Sequence, residues 1–300
     1  MKARGERKVS GSEWDERIDY LRNTRWMLYN EDYLEFLARK VWAIDRPVRL
    51  IDFGCGYGFM GLALLPLLPE GSTYTGIDAG TKLIAEARRV FRELPYPSAF
   101  IEGDLLEVPL ERQYDMAVSH AVVMHMEQPN SMLQRMIDCV VPGGRVACFE
   151  SHWIANAANQ HVDGHEQSDL VQLGALQRLY EADARRTGKD GNIGMKLPIL
   201  MSKLGLQHVA CRVSDRVNFL NPHEEPEIRN QLLQSLGFGH PGDREAYAAG
   251  LIARGLTPEE ASLMYEDELF FAERLDADTF MTYAPNMKIS YGIVAKESGL

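Results

Sequence analysis

No run in this sequence comes near the roughly twenty consecutive apolar residues that cross a bilayer, and the basic start MKARGERKVS has no apolar stretch behind it. A protein neither secreted nor membrane-spanning is expected. Cysteine is scarce: Cys55, Cys139, Cys148 and Cys211 form no C-x-x-C pair, and three of them lie among apolar neighbours. This argues against a disulfide scaffold or zinc site and for small buried thiols in a reducing compartment, so a cytoplasmic location is expected. Positive charge is also short, with 32 Lys and Arg against 43 Asp and Glu and a formal net charge of -11. Such a surface does not neutralise a phosphate backbone, so no nucleic-acid partner is expected. The deficit is local: Pro222 to Ala284 holds thirteen acids against four arginines. That segment is either a solvated helical face or an acidic cover over a neutral or cationic substrate.

Apolar material is ample, at 45% of the chain with 11 Phe, 12 Tyr and 4 Trp, which excludes a disordered or fibrous protein. The 300 residues fit a single α/β domain with insertions. N-terminal helices are expected over 12–46, from a capping box at Ser12-Glu13-Trp14-Asp15 and helical spacing of Ile18, Leu21 and Trp26. A second helix starts near Asn30, with Tyr33, Leu34, Leu37 and Val41 on one face. A core over 47–153 then alternates strands (48–53, 73–78, 98–102, 114–119, 145–150) with helices (59–68, 82–94, 131–140). Strands separated by helices imply right-handed crossovers and a doubly wound, mostly parallel sheet. Beyond Trp153, helical polar segments at about 155–189 and 222–284 interrupt the pattern. Between and after them come a helix near 197–204 and strands at about 208–219 and 287–296. Because the last strand returns late, both helical segments read as insertions in one domain.

Val48-Arg49-Leu50-Ile51-Asp52-Phe53 runs into Gly54-Cys55-Gly56-Tyr57-Gly58, in the loop where open α/β sheets bind ligands. The glycines alone are ambiguous. Gly56-Tyr57-Gly58-Phe59-Met60-Gly61 matches the dinucleotide fingerprint, with Asp78 near the position of a ribose-binding acid. Asp52 decides the matter, because a carboxylate ending the first strand repels a pyrophosphate but suits an ammonium group. Here the sequence resembles the class I S-adenosylmethionine-dependent methyltransferases, whose first motif is an acid followed by Gly-x-Gly-x-Gly. Gly76-Ile77-Asp78, Gly103-Asp104-Leu105, Tyr114-Asp115 and Pro142-Gly143-Gly144 follow in the family's order. The resemblance covers roughly Val48 to Glu150. It implies a Rossmann-like seven-stranded sheet with an antiparallel last strand, S-adenosyl-L-methionine as cofactor, and N-terminal helices over it. It places Asp52, Gly54, Cys55, Gly56, Gly58, Asp78, Ala79, Asp104, Leu105 and His120 around the cofactor, with Asp78 on the ribose hydroxyls and Asp104 at the adenine edge. His125, on the next turn, either touches the methionine part of the cofactor or is a packed, hydrogen-bonded core histidine. Arg25 and Tyr29, one helix turn apart, reach the cofactor carboxylate or are a surface arginine and a packing tyrosine.

Methyl transfer needs nucleophile, methyl carbon and sulfur nearly in line, so the protein chiefly positions, adding a base where the acceptor must lose a proton. Glu150, Ser151, His152 and Trp153 leave the fifth strand toward the cleft. They read either as acceptor-side chemistry, with His152 as base and Glu150 as its partner, or as a helix cap with a buried tryptophan. His161-Val162-Asp163-Gly164-His165 has loose metal-ligand spacing but reads as surface, and no metal is assigned. Asn192 and Asn286 sit in turn-forming connections. The N-methylation signature of Asn or Asp followed by Pro-Pro and an aromatic is missing from Ser119-His120-Ala121-Val122. The expectation is a methyltransferase acting on a small-molecule acceptor under a helical lid, as a monomer or homodimer. Its alternatives are an α-keto acid C-methyltransferase with a metal, a nicotinamide oxidoreductase, and a non-catalytic cofactor-binding module.

Overall fold

The computed structural model describes residues 14–296, so Ser12 and Glu13 of the expected capping box lie outside the described residues. In chain order the strands are β1 (Arg49–Phe53), β2 (Thr73–Asp78), β3 (Ser98–Glu102), β4 (Tyr114–His120), β5 (Val140–Glu150), β6 (Gln160–Val162), β7 (Gln207–Val213), β8 (Asn218–Leu220), β9 (Met281–Tyr283) and β10 (Lys288–Ile293). Seven of them form one sheet in the order β3-β2-β1-β4-β5-β10-β7. β1 runs parallel to β2 and β4, whereas β10 is antiparallel to both β5 and β7. The strand order turns back between β1 and β4, which opens a crevice at their carboxyl ends.

Both faces of this sheet are covered, which is why β1 is buried on both sides from Leu50 to Phe53. Leu50 packs with Tyr74, Val118 and Phe149 against Leu37, Trp42, Met60 and Leu64. Ile51, Phe53, Ile77 and Cys148 face the opposite way, onto Met132, Met136, Leu197 and Met201. The helices are α1 (Ile18–Arg25), α2 (Glu31–Phe36), α3 (Phe59–Leu64), α4 (Thr81–Phe91), α5 (Pro129–Cys139), α6 (Trp153–Ala158), α7 (Leu173–Thr187), α8 (Leu197–Lys203), α9 (Pro226–Leu236), α10 (Arg244–Ala253) and α11 (Pro258–Arg274). None of the described helices is long and apolar enough to cross a membrane.

Two features depart from the sequence expectation. The strand expected over 208–219 is two strands in different sheets. β7 ends where Ser214 exchanges hydrogen bonds with Met287, its N–H donating to the Met287 carbonyl at 2.9 Å and its Oγ accepting from the Met287 N–H at 2.8 Å. The next residue, Asp215, accepts from the Asn30 side chain, and the chain leaves the main sheet. β8 then joins β6 and β9 in a small antiparallel sheet of order β6-β9-β8. The second departure is this sheet itself, which ties the two inserted segments together. Val162 and Leu170 from the first share a core with Leu232, Phe271 and Met281 from the second and with Leu220 of β8, and Met27 of the N-terminal segment is buried in it.

Candidate active site

The loop after β1 requires its glycines. Gly54 has φ +71°, and a Cβ there would lie 2.5 Å from Val122 Cγ2. Gly58 has φ +92°, and its Cβ would lie 2.5 Å from the Phe91 ring. Both conditions exclude a side chain: the backbone is left-handed and the space is filled. The loop is held open by Asp78 at the end of β2, whose carboxylate accepts from the Gly56 N–H and the Gly80 N–H, each at 2.8 Å. Cys55 is buried beside Gly76, and burial pushes its thiol well up. Asp104 follows β3 and accepts from the Leu106 N–H at 2.8 Å, with Leu105 half-buried beside it and Ala79 exposed on the crevice rim.

Asp52 is buried at the end of β1. One carboxylate oxygen accepts from the Tyr74 hydroxyl at 2.7 Å, and the other has no partner. Burial pushes its carboxyl up to about 7, with Asp78 adding repulsion while Tyr74 and Arg25 pull the other way. The Tyr29 and His120 rings lie 5.9 Å apart, with Phe59 5.2 Å from His120 and Phe149 6.0 Å from Tyr29. The Tyr29 hydroxyl and His120 Nε2 are likewise buried without a partner. Arg25 lies among Tyr29, Tyr57 and Tyr20, and burial lowers its pKa. Asp52, Glu150 and His120 all feel its charge. Burial and that charge hold His120 well below the usual histidine range, so its imidazole is neutral. At the far side Trp14 packs on His125 with ring centres 5.2 Å apart, and Asp15 accepts from the Leu83 N–H at 3.0 Å, laying the N-terminal segment over the crevice.

The expected pair of Glu150 and His152 is not formed. Glu150 is fully buried beneath the turn after β4, where it accepts from the N–H groups of Val122 at 3.0 Å, Val123 at 2.8 Å and Met124 at 3.3 Å. Its carboxyl is raised by burial to about 7 against those bonds and the pull of Arg25. The N–H groups of a tight turn need an acceptor, and Glu150 supplies it in place of a proton relay. His152 instead caps α6, its Nδ1 accepting from the Ala155 N–H at 3.1 Å. A neutral imidazole whose Nδ1 accepts carries its proton on Nε2, so His152 presents a donor and not a base. Burial and Lys288 lower its pKa, which favours that neutral form. Trp153 is 38% exposed and packs on Tyr180, so the tryptophan is not buried.

Asn192 accepts from the Ile154 N–H at 3.2 Å, and the Asn286 amide donates to the Ser214 carbonyl at 2.9 Å; both hold connections together. His161 and Asp163 line a surface groove beside Phe219 and Phe280 on the small sheet, while His165 packs on Phe270. Sequence reasoning did not find Tyr74, whose partnership with Asp52 spans two adjacent strands and leaves no local pattern. Nor did it find Asn218, buried in β8 with its amide on the N-terminal segment.

Residues 51–146 match the family described as "Methyltransferase domain". A trans-aconitate 2-methyltransferase of Methylobacterium nodulans is 33% identical over 101 residues, which covers 34% of this chain and 37% of that protein. An uncharacterized methyltransferase of Schizosaccharomyces pombe is 26% identical over 116 residues, covering 36% of this chain and 41% of its own length. The chain thus spans about two fifths of the length of these curated relatives. The solved structure of Haemonchus contortus phosphoethanolamine N-methyltransferase 2 with S-adenosyl-L-methionine superposes with a TM-score of 0.53 at 13% identity. That match covers 97% of this chain and 61% of the other. The fold is that of the class I methyltransferases. Residues 51–146 are a class I S-adenosylmethionine-dependent methyltransferase domain.

Proposed function

We propose that the protein moves a methyl group from S-adenosylmethionine to a small-molecule acceptor enclosed beneath the inserted segments 155–189 and 222–284. The observation that carries this reading is the set of unpartnered buried polar atoms around Arg25: Asp52 Oδ1, the Tyr29 hydroxyl and His120 Nε2. Buried polar atoms are nearly always hydrogen-bonded, so a convergent unsatisfied set describes a ligand, here one with an ammonium and a carboxylate. Asp52 suits the ammonium, and Arg25 with Tyr29 suits the carboxylate. Asp78 suits the ribose hydroxyls, with Asp104, Leu105 and Ala79 around the adenine. When bound, S-adenosylmethionine supplies a methyl group activated on a sulfonium.

The chain's own part is to bind, orient and exclude water. His120 is neutral and adds no positive charge beside the sulfonium site. His152 offers an Nε2 donor that orients an acceptor, and Glu150 fixes the turn that carries His125. His152 Nδ1 and the Glu150 carboxylate are both committed to backbone N–H groups, so the reading favours an acceptor that is nucleophilic without losing a proton to either of them. Relatives named trans-aconitate 2-methyltransferase support a small acceptor. The test is a panel of small carboxylic acids, amines, phenols and α-keto acids, followed by release of S-adenosylhomocysteine, with calorimetry for the cofactor. Micromolar binding of S-adenosylhomocysteine and turnover of at least one panel member are expected. Binding of a nicotinamide dinucleotide in its place would overturn the reading.

A further inference from the structure

Arg25 and Tyr29 flank a residue that belongs to a different part of the molecule. Met27 is buried in the core of the cover, among Val162, Leu220, Leu232, Phe271 and Met281. Its carbonyl accepts from the Asn218 side-chain amide at 3.1 Å, and the same amide donates to the Tyr283 carbonyl at 3.2 Å. One buried side chain in β8 thus joins the N-terminal segment to β9. Its Oδ1 in turn accepts from Arg216 Nε at 3.2 Å. The Arg216 guanidinium lies 4.8 Å over the Trp26 ring and reaches the Tyr29 carbonyl. Trp26 donates its indole N–H to Ser235 Oγ of α9 at 3.1 Å. The chain between the two groups that face the crevice is therefore gripped from outside the methyltransferase domain, by residues that lie 187 to 209 positions away in sequence.

We propose that Asn218 is a positioning residue for the cofactor's amino-acid end, acting through Met27 on Arg25 and Tyr29. Both of its amide protons are committed, and a buried carbonyl that loses its donor must find another or move. The segment from Arg25 to Asn30 is short, so a shift at Met27 displaces the groups on either side of it. The proposal rests on the placement of the cofactor carboxylate at Arg25. It implies that the inserted cover sets affinity for one end of the cofactor and leaves the nucleoside end, held by Asp78, untouched.

Two ligands separate these ends. S-adenosylhomocysteine has the amino-acid end, and 5′-methylthioadenosine has the nucleoside and sulfur without it. In Asn218→Ala, calorimetry on the full chain should show S-adenosylhomocysteine bound about tenfold more weakly and 5′-methylthioadenosine within about twofold of wild type. Arg25→Ala should show the same selectivity, and the double variant should lose little beyond Arg25→Ala, because the two act on one contact. Ser235→Ala, a milder change for use where Asn218→Ala does not fold, should shift affinity in the same selective direction by a smaller factor. A selective loss in Arg25→Ala alongside equal or no losses in Asn218→Ala (or in Ser235→Ala as its stand-in) overturns the inference and leaves the site reading standing. Equal losses of both ligands in Arg25→Ala overturn the site reading, and this inference with it.

Discussion

At the scale of single residues, the site turns on acids placed where burial works against their charge. Asp78 holds two loop N–H groups and is the ribose ligand in the proposed reading. Asp78→Ala should therefore cost about 2 kcal/mol of cofactor binding, or more where the loop also loosens. Unchanged affinity in calorimetry would remove it from the site. Asp52 makes a pH prediction. Its folded pKa of about 7 lies above the ordinary carboxyl value of 3.8, so the folded protein binds more protons than the unfolded chain across that window. Its contribution to stability is full below the ordinary value and is lost as pH rises through about 7. A cation set against Asp52 reverses the preference and expels the proton. Cofactor binding near pH 7 should release roughly half a proton from this group. Calorimetry in two buffers of different ionisation enthalpy reads that release, and Asp52→Asn should lack it.

Among the elements, α6 shows how a catalytic candidate becomes a cap. His152 supplies the acceptor for the Ala155 N–H, so His152→Ala should lower stability by about 1 kcal/mol and His152→Asn should retain most of it. The pKa of His152 is lowered, so this contribution is present above the ordinary value of 6.5 and fades as pH falls below it, when Nδ1 takes a proton. Thermal unfolding of the two variants at pH 7.5 and pH 5.5 checks both statements. Equal melting temperatures for Ala and wild type at pH 7.5 would contradict the cap. The strands β2 and β3 fell where the alternation of strands and helices placed them, because each is a short run bounded by turn residues. The three-residue strands β6, β8 and β9 were not legible, since three residues carry no period and their pairing is entirely long-range.

For the molecule as a whole, the cover is one body with its own core and a grip on the N-terminal segment. Segments 155–189 and 222–284 should exchange amide hydrogens faster than β1 in the free protein, because their cores are smaller and their surfaces polar. On addition of S-adenosylhomocysteine, residues 18–29 and the strands β8 and β9 should slow together. Slowing of residues 18–29 with no change in β8 and β9 would show that the two are not coupled.

The sequence by itself determined the doubly wound sheet, the glycine loop and the acids at the ends of β1, β2 and β3. Each depends on residues within one strand-turn-helix unit, where φ, periodicity and charge act over a few positions. Tertiary structure alone decided what the polar groups beyond β5 do. Glu150 and His152 are two residues apart, yet one turns into the core beneath residues 122–124 and the other outward to start a helix. That choice is set by which N–H groups packing leaves without an acceptor. Tertiary structure also brought Asn218 to Met27, because a buried amide finds its carbonyls through the packing of separate elements, which no local pattern encodes.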